Sequence, residues 1–265
     1  MSSATSEQPS NLLAELALGL ELADIADKIA MRHFRTRGLR IDRKADSSEV
    51  TQADTETEAA LRAVLTERRP AHAMLGEEDG LQGPADAEWR WVIDPIDGTA
   101  NYARGIPVWA TLIALMKGSE VKVGVVSAPA LGRRWWAARG HGAHTNDGTI
   151  AVSSVDDLSA AYLLNPGQTY WGERGDLITA LTRSVWRDRG FGDFWQHMLV
   201  AEGAVDAACE PIVNLWDLAA VQVIVEEAGG RFTDLDGHAR PDGGSAVSTN
   251  GLLHDRVLAA LTLPA

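Results

Sequence analysis

The chain has 265 residues, 45% of them hydrophobic and 23% charged, with a formal net charge of −13 and one cysteine. That length can bury a substantial core, in one large domain or two closely packed halves. The acidic balance excludes a general nucleic-acid binder, which needs a basic footprint. Lone Cys209 excludes an intrachain disulfide and cysteine-rich zinc sites, and it fits a reducing cytoplasm.

Residues 1–10 are polar and lack the basic and apolar regions of a secretory leader, and residues 1–9 read as a disordered tail. No uninterrupted apolar run approaches ~18 residues, so no membrane span is expected. Leu13, Leu16, Leu20, Ile25 and Ile29 recur at helical spacing and predict a helix over residues 12 to about 34. A polar stretch, 43–49, precedes a second helix that begins near Thr51–Asp54, where both residues are cap candidates, and stops before Pro70. The middle of the chain reads as β: a short strand over 89–93, a hairpin of 111–116 and 121–127 about the turn 117–120, and a strand over 134–138. Asn146-Asp147-Gly148 marks a tight turn before a strand over 149–153. The last third alternates, with strands at 162–165, 231–233 and 245–249. Its helices fall at 177–183, 194–203, 216–228 and 254–261, the third stopped by Gly229-Gly230. Mixed strands and helices without repeats predict a layered α/β architecture. A soft boundary near 151–157 separates an N-terminal half, 10–150, from a C-terminal half, 151–265.

The segment Trp91-Val92-Ile93-Asp94-Pro95-Ile96-Asp97-Gly98-Thr99-Ala100-Asn101-Tyr102 is the most informative. Pro95 disfavours helix at Asp94, which places Asp94 at a strand end. Asp97 follows across a tight turn, so both carboxylates can face one point, and Gly98-Thr99 can open a helical turn whose N–H groups cradle phosphate. Hard cations such as Mg²⁺ want oxygen ligands of this kind. An acidic protein repels phosphate, so any phosphate site here needs local positive charge, which a metal supplies. Against this, Asp-Pro and Asp-Gly are common turn formers. Gly76-Glu77-Glu78-Asp79-Gly80 alone reads as a solvated acidic loop, and Trp216-Asp217 alone as an ordinary helix start favoured by the macrodipole.

Taken in order, the strings GEEDG, WVIDPIDGTANY and WDLAA resemble the inositol monophosphatase superfamily. Val50-Thr51-Gln52-Ala53-Asp54 and Glu226-Glu227-Ala228-Gly229-Gly230 extend the resemblance over nearly the whole chain after the tail. It implies an αβαβα layered sandwich of two halves enclosing the site, most metal ligands lying in the first half and Asp217 with the specificity residues in the second. It also implies two or three Mg²⁺ ions on Glu77, Asp94, Asp97, Asp217 and the carbonyl of Ile96. Asp54, Glu77 and Thr99 would serve catalysis, with Thr99 and Asp54 orienting the attacking water and the amides of Gly98 and Thr99 holding phosphate. A homodimer follows from the same resemblance. The expected reaction is hydrolysis of a small phosphate monoester by activated water, which needs no covalent nucleophile.

For the substrate, Gly192-Asp193-Phe194 resembles the branch that hydrolyses histidinol phosphate in histidine biosynthesis, as do residues 125–130 and 134–140. An acidic Asp193 suits a substrate bearing an ammonium and an imidazole. Glu210 stands at the family position that meets the organic part, and Arg187, Arg189 and Gly192 complete the candidates. Asp193 also reads as a helix N-cap before Phe194. Competing readings are inositol 1-phosphate, fructose bisphosphate or a 3′-phosphonucleotide as substrate, and a binding protein that keeps the fold without the reaction. Glu49 stands where the family often has proline. Strand alternation predicts that at least one of Trp135 and Trp136 is core. The seven histidines lack zinc spacing, His197 reads as an ordinary semi-buried residue, and Cys209 reads as core.

Overall fold

A computed structural model of the chain describes residues 9–43 and 49–263; apart from Pro9, the expected tail lies outside the described residues, as does the middle of the polar stretch 43–49. Helices α1 (Pro9–His33) and α2 (Gln52–Arg68) are separated by a small ribbon of β1 (Ile41–Arg43) and β2 (Glu49–Thr51). Thr51 caps α2: its hydroxyl accepts from Ala53 N–H at 3.1 Å, while its own N–H donates to the Asp54 carboxylate at 2.8 Å. This reciprocal arrangement fixes the helix start read from the sequence.

The strands β3 (Ala73–Gly76), β4 (Gly80–Gln82), β5 (Trp89–Asp97), β6 (Ala110–Lys117), β7 (Glu120–Ala128), β8 (Arg133–Ala138), β9 (Ala143–Thr145) and β10 (Gly148–Ile150) form one sheet. Its order is β10-β9-β8-β7-β6-β5-β3-β4, antiparallel except for the pair β3 and β5. Helix α3 (Thr99–Ala103) follows β5 directly. A second sheet holds β11 (Tyr162–Asn165), β12 (Arg187–Gly190), β13 (Ala207–Glu210), β14 (Arg231–Thr233) and β15 (Ala246–Thr249), in the order β12-β11-β13-β15-β14. Four more helices complete the chain: α4 (Gly175–Ser184), α5 (Asp193–Ala201), α6 (Leu215–Glu227) and α7 (His254–Leu261).

Both faces of the first sheet are buried, because its central strands carry apolar residues at every position rather than at alternate ones. Trp91, Ile93, Ile113, Leu115, Val123 and Val125 point to one side and pack with Leu18, Leu22 and Leu61 of α1 and α2. Their neighbours Val92, Leu112, Ala114, Val126 and Trp135 point to the other side, against Phe194, Met198, Val221 and Ile224 of α5 and α6. Beyond the second sheet, Leu163, Cys209 and Val247 pack against Ile178 and Leu181 of α4 and Val257 and Leu261 of α7. The layers therefore run helix, sheet, helix, sheet, helix, as the resemblance implied. Trp135 is core and the half-buried Trp136 faces the α1 side, which is the alternation expected of a strand. Among the described residues no helix is long and apolar enough to cross a membrane.

Three expectations need correction. The strand expected to end near Asp94 runs on through Pro95 to Asp97, because the ladder to β6 absorbs Pro95 in an irregularity instead of stopping. The strand expected over 149–153 ends at Ile150, after pairing only with three-residue β9. Strands β1, β2, β3, β4, β9, β12 and β13 have no counterpart in the sequence reading; Ala207-Ala208-Cys209-Glu210, for one, is too short and too low in β-branched residues to signal a strand.

Helix α6 packs tightly on the sheet at Gly124 of β7. A Cβ there would stand 2.6 Å from the Ala220 carbonyl oxygen and 2.6 Å from Val223 Cγ1. Gly124→Ala should therefore cost about 1–3 kcal/mol, lowering Tm by roughly 2–12 °C for a chain of this size. Calorimetry checks this, and an unchanged Tm would mean that α6 can move away from the sheet at little cost.

Candidate active site

The site begins with the irregularity in β5. Asp94 pairs with Leu112 and Asp97 with Ala110, so Pro95 and Ile96 together oppose Thr111 alone. Proline cannot donate to the ladder, and Thr111 Oγ1 instead donates to the Pro95 carbonyl at 2.8 Å. In a regular strand, residues three apart face opposite sides. The extra residue of a bulge reverses that parity, so Asp94 and Asp97 both face the α5–α6 layer. Ile96 N–H donates to Asp94 Oδ1 at 2.9 Å and holds the turn.

Asp217 reaches the same point from the first turn of α6, where its Oδ2 accepts Asn214 N–H at 2.7 Å. Oxygens of Asp94, Asp97 and Asp217 all lie within 4.8 Å of one another. Glu77, in the β3–β4 turn, lines the same cavity. Asp54 is fully buried behind it, and Thr99 Oγ1 lies 3.2 Å from Asp54 Oδ1 and 2.9 Å from the Ile96 carbonyl oxygen. The cavity, about 180 Å³, is lined by six carboxylate residues and, among the described residues, by no lysine or arginine.

Burial is the main reason the aspartates here resist ionisation, and neighbouring negative charge adds to it. Asp94 is raised well above the usual carboxylate range by burial, then by Glu77, Asp97 and Asp217. Asp97 is raised by burial, then by Asp193 and Asp217. Burial pushes Asp217 up to about 7 and Asp54 up to about 6, in both cases against the hydrogen bonds they accept. A donor set of convergent carboxylates and a nearby backbone carbonyl is all oxygen, and it fits a hard divalent cation.

A wider cavity of about 580 Å³ opens beside the first and shares Glu77, Gly98, Thr99, Asp193, Glu210 and Ile212 with it. Its outer wall includes Gly192, Glu49 and two aromatic rings, Tyr170 and Phe191, that are 56% and 49% exposed. Asp193 does not cap α5. It is the first residue of the helix, held at φ 54 after Gly192 at φ 70. The capping interaction comes from across the fold, where Phe194 N–H donates to Asp97 Oδ2 at 2.6 Å. With its own carboxylate released from capping, Asp193 places Oδ2 3.4 Å from Asn101 Nδ2 at the junction of the two cavities. Burial, then Glu210 and Asp217, push its carboxyl up to about 7. Left-handed backbone at a non-glycine residue is strained and concentrates at functional sites.

Glu210 ends β13 and faces Asp193, whose N–H lies 3.4 Å from Oε1. Gln196 Nε2 donates to Glu210 Oε2 at 2.7 Å, and His197 Nε2 lies 3.3 Å from the same oxygen. His197 is thus fully buried at the site, with Nδ1 2.7 Å from Ser248 Oγ, rather than semi-buried. Sequence reasoning missed Gln196, Ser248, Tyr170 and Phe191. Only Gln196 and His197 left a trace, lying three and four residues after Asp193 on one helix. Arg187 and Arg189 belong to neither cavity: they sit on the exposed edge strand β12, with the Arg187 guanidinium 4.8 Å from the Trp186 ring centre. The strand pairs in parallel with β11 and carries these side chains along the edge of the sheet. Cys209 is core, and burial pushes its thiol up, away from nucleophilic use.

The model of the inositol monophosphatase family matches residues 13–263. A protein of Mycobacterium tuberculosis named histidinol-phosphatase is 52% identical over 254 residues, covering 93% of this chain and 97% of that one. One of Streptomyces coelicolor with the same name is 48% identical over 260 residues, covering 94% and 97%. Among solved structures, the IMPase of Thermotoga maritima superposes with a TM-score of 0.85 at 29% identity, over 94% of this chain and 96% of that one.

In the unfolded chain the aspartates titrate near 3.8, whereas in the folded, cation-free chain Asp54, Asp193 and Asp217 hold their protons up to about 6 or 7. The folded state therefore binds more protons between about pH 4 and pH 7, and its stability falls as pH rises through that window. Calorimetry on chelator-treated protein should show Tm declining from about pH 5 to about pH 7.5, and millimolar Mg²⁺ should remove most of that decline. A cation-free Tm that climbs with pH would contradict this account of the site.

Proposed function

We propose that this chain, which belongs to the inositol monophosphatase family, hydrolyses L-histidinol phosphate to L-histidinol and inorganic phosphate with Mg²⁺ at the carboxylate site. The observation that carries the substrate is the pair Asp193 and Glu210, which face each other where the narrow cavity meets the wide one. The relatives named histidinol-phosphatase support the same reading.

Asp94, Asp97, Asp217, Glu77 and the Ile96 carbonyl are the proposed cation ligands. Mg²⁺ bound there would supply Lewis-acid stabilisation of charge on the phosphoryl group and on the leaving oxygen. The chain's own residues do the rest. Thr99 Oγ1, between Asp54 Oδ1 and the Ile96 carbonyl, is placed to orient a water for in-line attack. Asp54, pushed up to about 6 by burial, is suited to take a proton from that water near neutral pH. Thr51 holds Asp54 in place through N–H at 2.8 Å and Oγ1 at 2.5 Å, both on Oδ2, which leaves Oδ1 for Thr99. The amides of Gly98 and Thr99, at the turn out of β5, are proposed phosphate donors.

The substrate's organic part then enters the wide cavity. Its ammonium meets Asp193 and Glu210, and its imidazole reaches the wall of Tyr170 and Phe191. Aromatic rings left half-exposed beside carboxylates suit a ring that is flat and at least partly cationic. Gln196 and His197 hold Glu210 Oε2, which leaves Oε1 beside Asp193 N–H. A cytoplasmic homodimer is the assembly that the family resemblance suggests.

Asp193→Asn keeps the shape of the side chain and tolerates the left-handed backbone, but it removes the charge. It should reduce kcat/KM for histidinol phosphate roughly 10- to 100-fold, the worth of a hydrogen bond to a charged group, while any slow hydrolysis of inositol 1-phosphate holds or improves. Phosphate release measured on both substrates with Mg²⁺ decides this. Equal losses on both would remove Asp193 as an ammonium contact, and a wild-type preference for inositol 1-phosphate would overturn the substrate.

A further inference from the structure

Glu77 sits in a turn of only three residues between β3 and β4, in contrast to Asp94, Asp97 and Asp217, which are fixed by a sheet ladder or a helix start. The turn is gripped from outside the cavity. Glu58 of α2 has no exposed surface, and its two oxygens accept the N–H groups of Glu78 at 2.8 Å and Asp79 at 3.0 Å. Arg62, one helical turn on, donates through Nη2 to Glu58 at 2.6 Å and to the Gly80 carbonyl at 3.3 Å. Position 76 must be glycine for this grip, since a Cβ there would fall 2.1 Å from the Glu58 carboxylate. On the near side of the turn, Glu77 N–H donates to the Ile93 carbonyl at 3.1 Å, next to Asp94.

We propose that Glu58 is a positioning residue for the cation site, and that with Arg62 it sets where the Glu77 carboxylate stands relative to Asp94. Asp54, Glu58 and Arg62 are spaced four apart and share one face of α2. One rigid helix therefore holds both the water-orienting Asp54 and the turn that bears Glu77. Arg62 neutralises Glu58, so a buried acid can serve the turn without adding an unbalanced negative charge behind a site already crowded with them. The inference rests on the reading of Glu77 as a cation ligand.

The test is Mg²⁺ binding to chelator-treated protein by titration calorimetry, with circular dichroism to check folding. Glu77→Gln should weaken binding. Glu58→Gln, which keeps the packing but cannot accept both amides, should weaken it about 10- to 100-fold, as loss of an outer-shell partner does. In the Glu77→Gln background the same change should alter affinity by less than about twofold, because its effect passes through Glu77. If Glu58→Gln does not fold, Glu58→Gln with Arg62→Met removes both charges of the buried pair and takes its place in the cycle. Undiminished Mg²⁺ affinity in folded Glu58→Gln overturns the proposal, as does an equal loss with and without Glu77, which would mark a through-space charge effect. If Glu77→Gln itself binds Mg²⁺ as the wild type does, the ligand reading of Glu77 fails instead.

Discussion

Mutual repulsion among buried carboxylates is the constraint on which the rest of this structure depends. Asp94, Asp97 and Asp217 bring oxygens within 4.8 Å of one another, with Glu77, Asp193 and Glu210 around the same cavity. Burial disfavours ionising Asp94, Asp97, Asp193 and Asp217, and the negative charge around them raises the cost further. Such a group persists in a fold only if something else holds it together. Here the backbone does much of that work. Amide N–H groups donate to Asp94, Asp97, Asp217 and Asp54, so each acid has a fixed direction even before a cation neutralises the set.

Those amides come from irregular places, which is why the fold needs its irregularities. The bulge in β5 turns Asp94 and Asp97 to one side of a sheet that otherwise alternates. The N-terminal turns of α2 and α6 supply Asp54 and Asp217, each reaching back to a backbone N–H three residues before it. Asp97 does the same for α5 across the layer boundary. Each acid thus has a structural task as well as a chemical one, and its removal would disturb the chain as well as the chemistry.

What was legible in the sequence follows the same division. Long amphipathic or apolar segments bounded by Gly, Pro or cap residues were placed well: α1, α2, α6, α7 and the β6–β7 hairpin carry their start and stop signals locally. The chemical strings were legible because Asp-Pro-x-Asp-Gly-Thr concentrates unusual backbone requirements in six residues. Residues whose role arises only from tertiary packing were not legible. Ser248 lies 51 positions from His197 and meets it only because β15 and α5 stack. Tyr170 and Phe191 belong to separate loops that converge on one cavity wall. Arg187 illustrates the opposite error: a cation near Asp193 in sequence is carried away from it by an edge strand whose direction no local pattern announces.

The layered plan separates two tasks that one site has to combine. The converging acids of the narrow cavity, Asp94, Asp97 and Asp217, come from the first sheet and a helix start packed on it. The acids shared with the wide cavity, Asp193 and Glu210, come from α5 and the second sheet. Between them runs the hydrogen bond from Phe194 N–H to Asp97 Oδ2. It fixes the start of α5, and with it the strained Asp193, to the acid that also completes the triad. A change in the charge on Asp97 is therefore felt at Asp193, the residue before its hydrogen-bond donor. The coupling runs in the other direction as well, because whatever moves α5 moves the N–H that steadies Asp97.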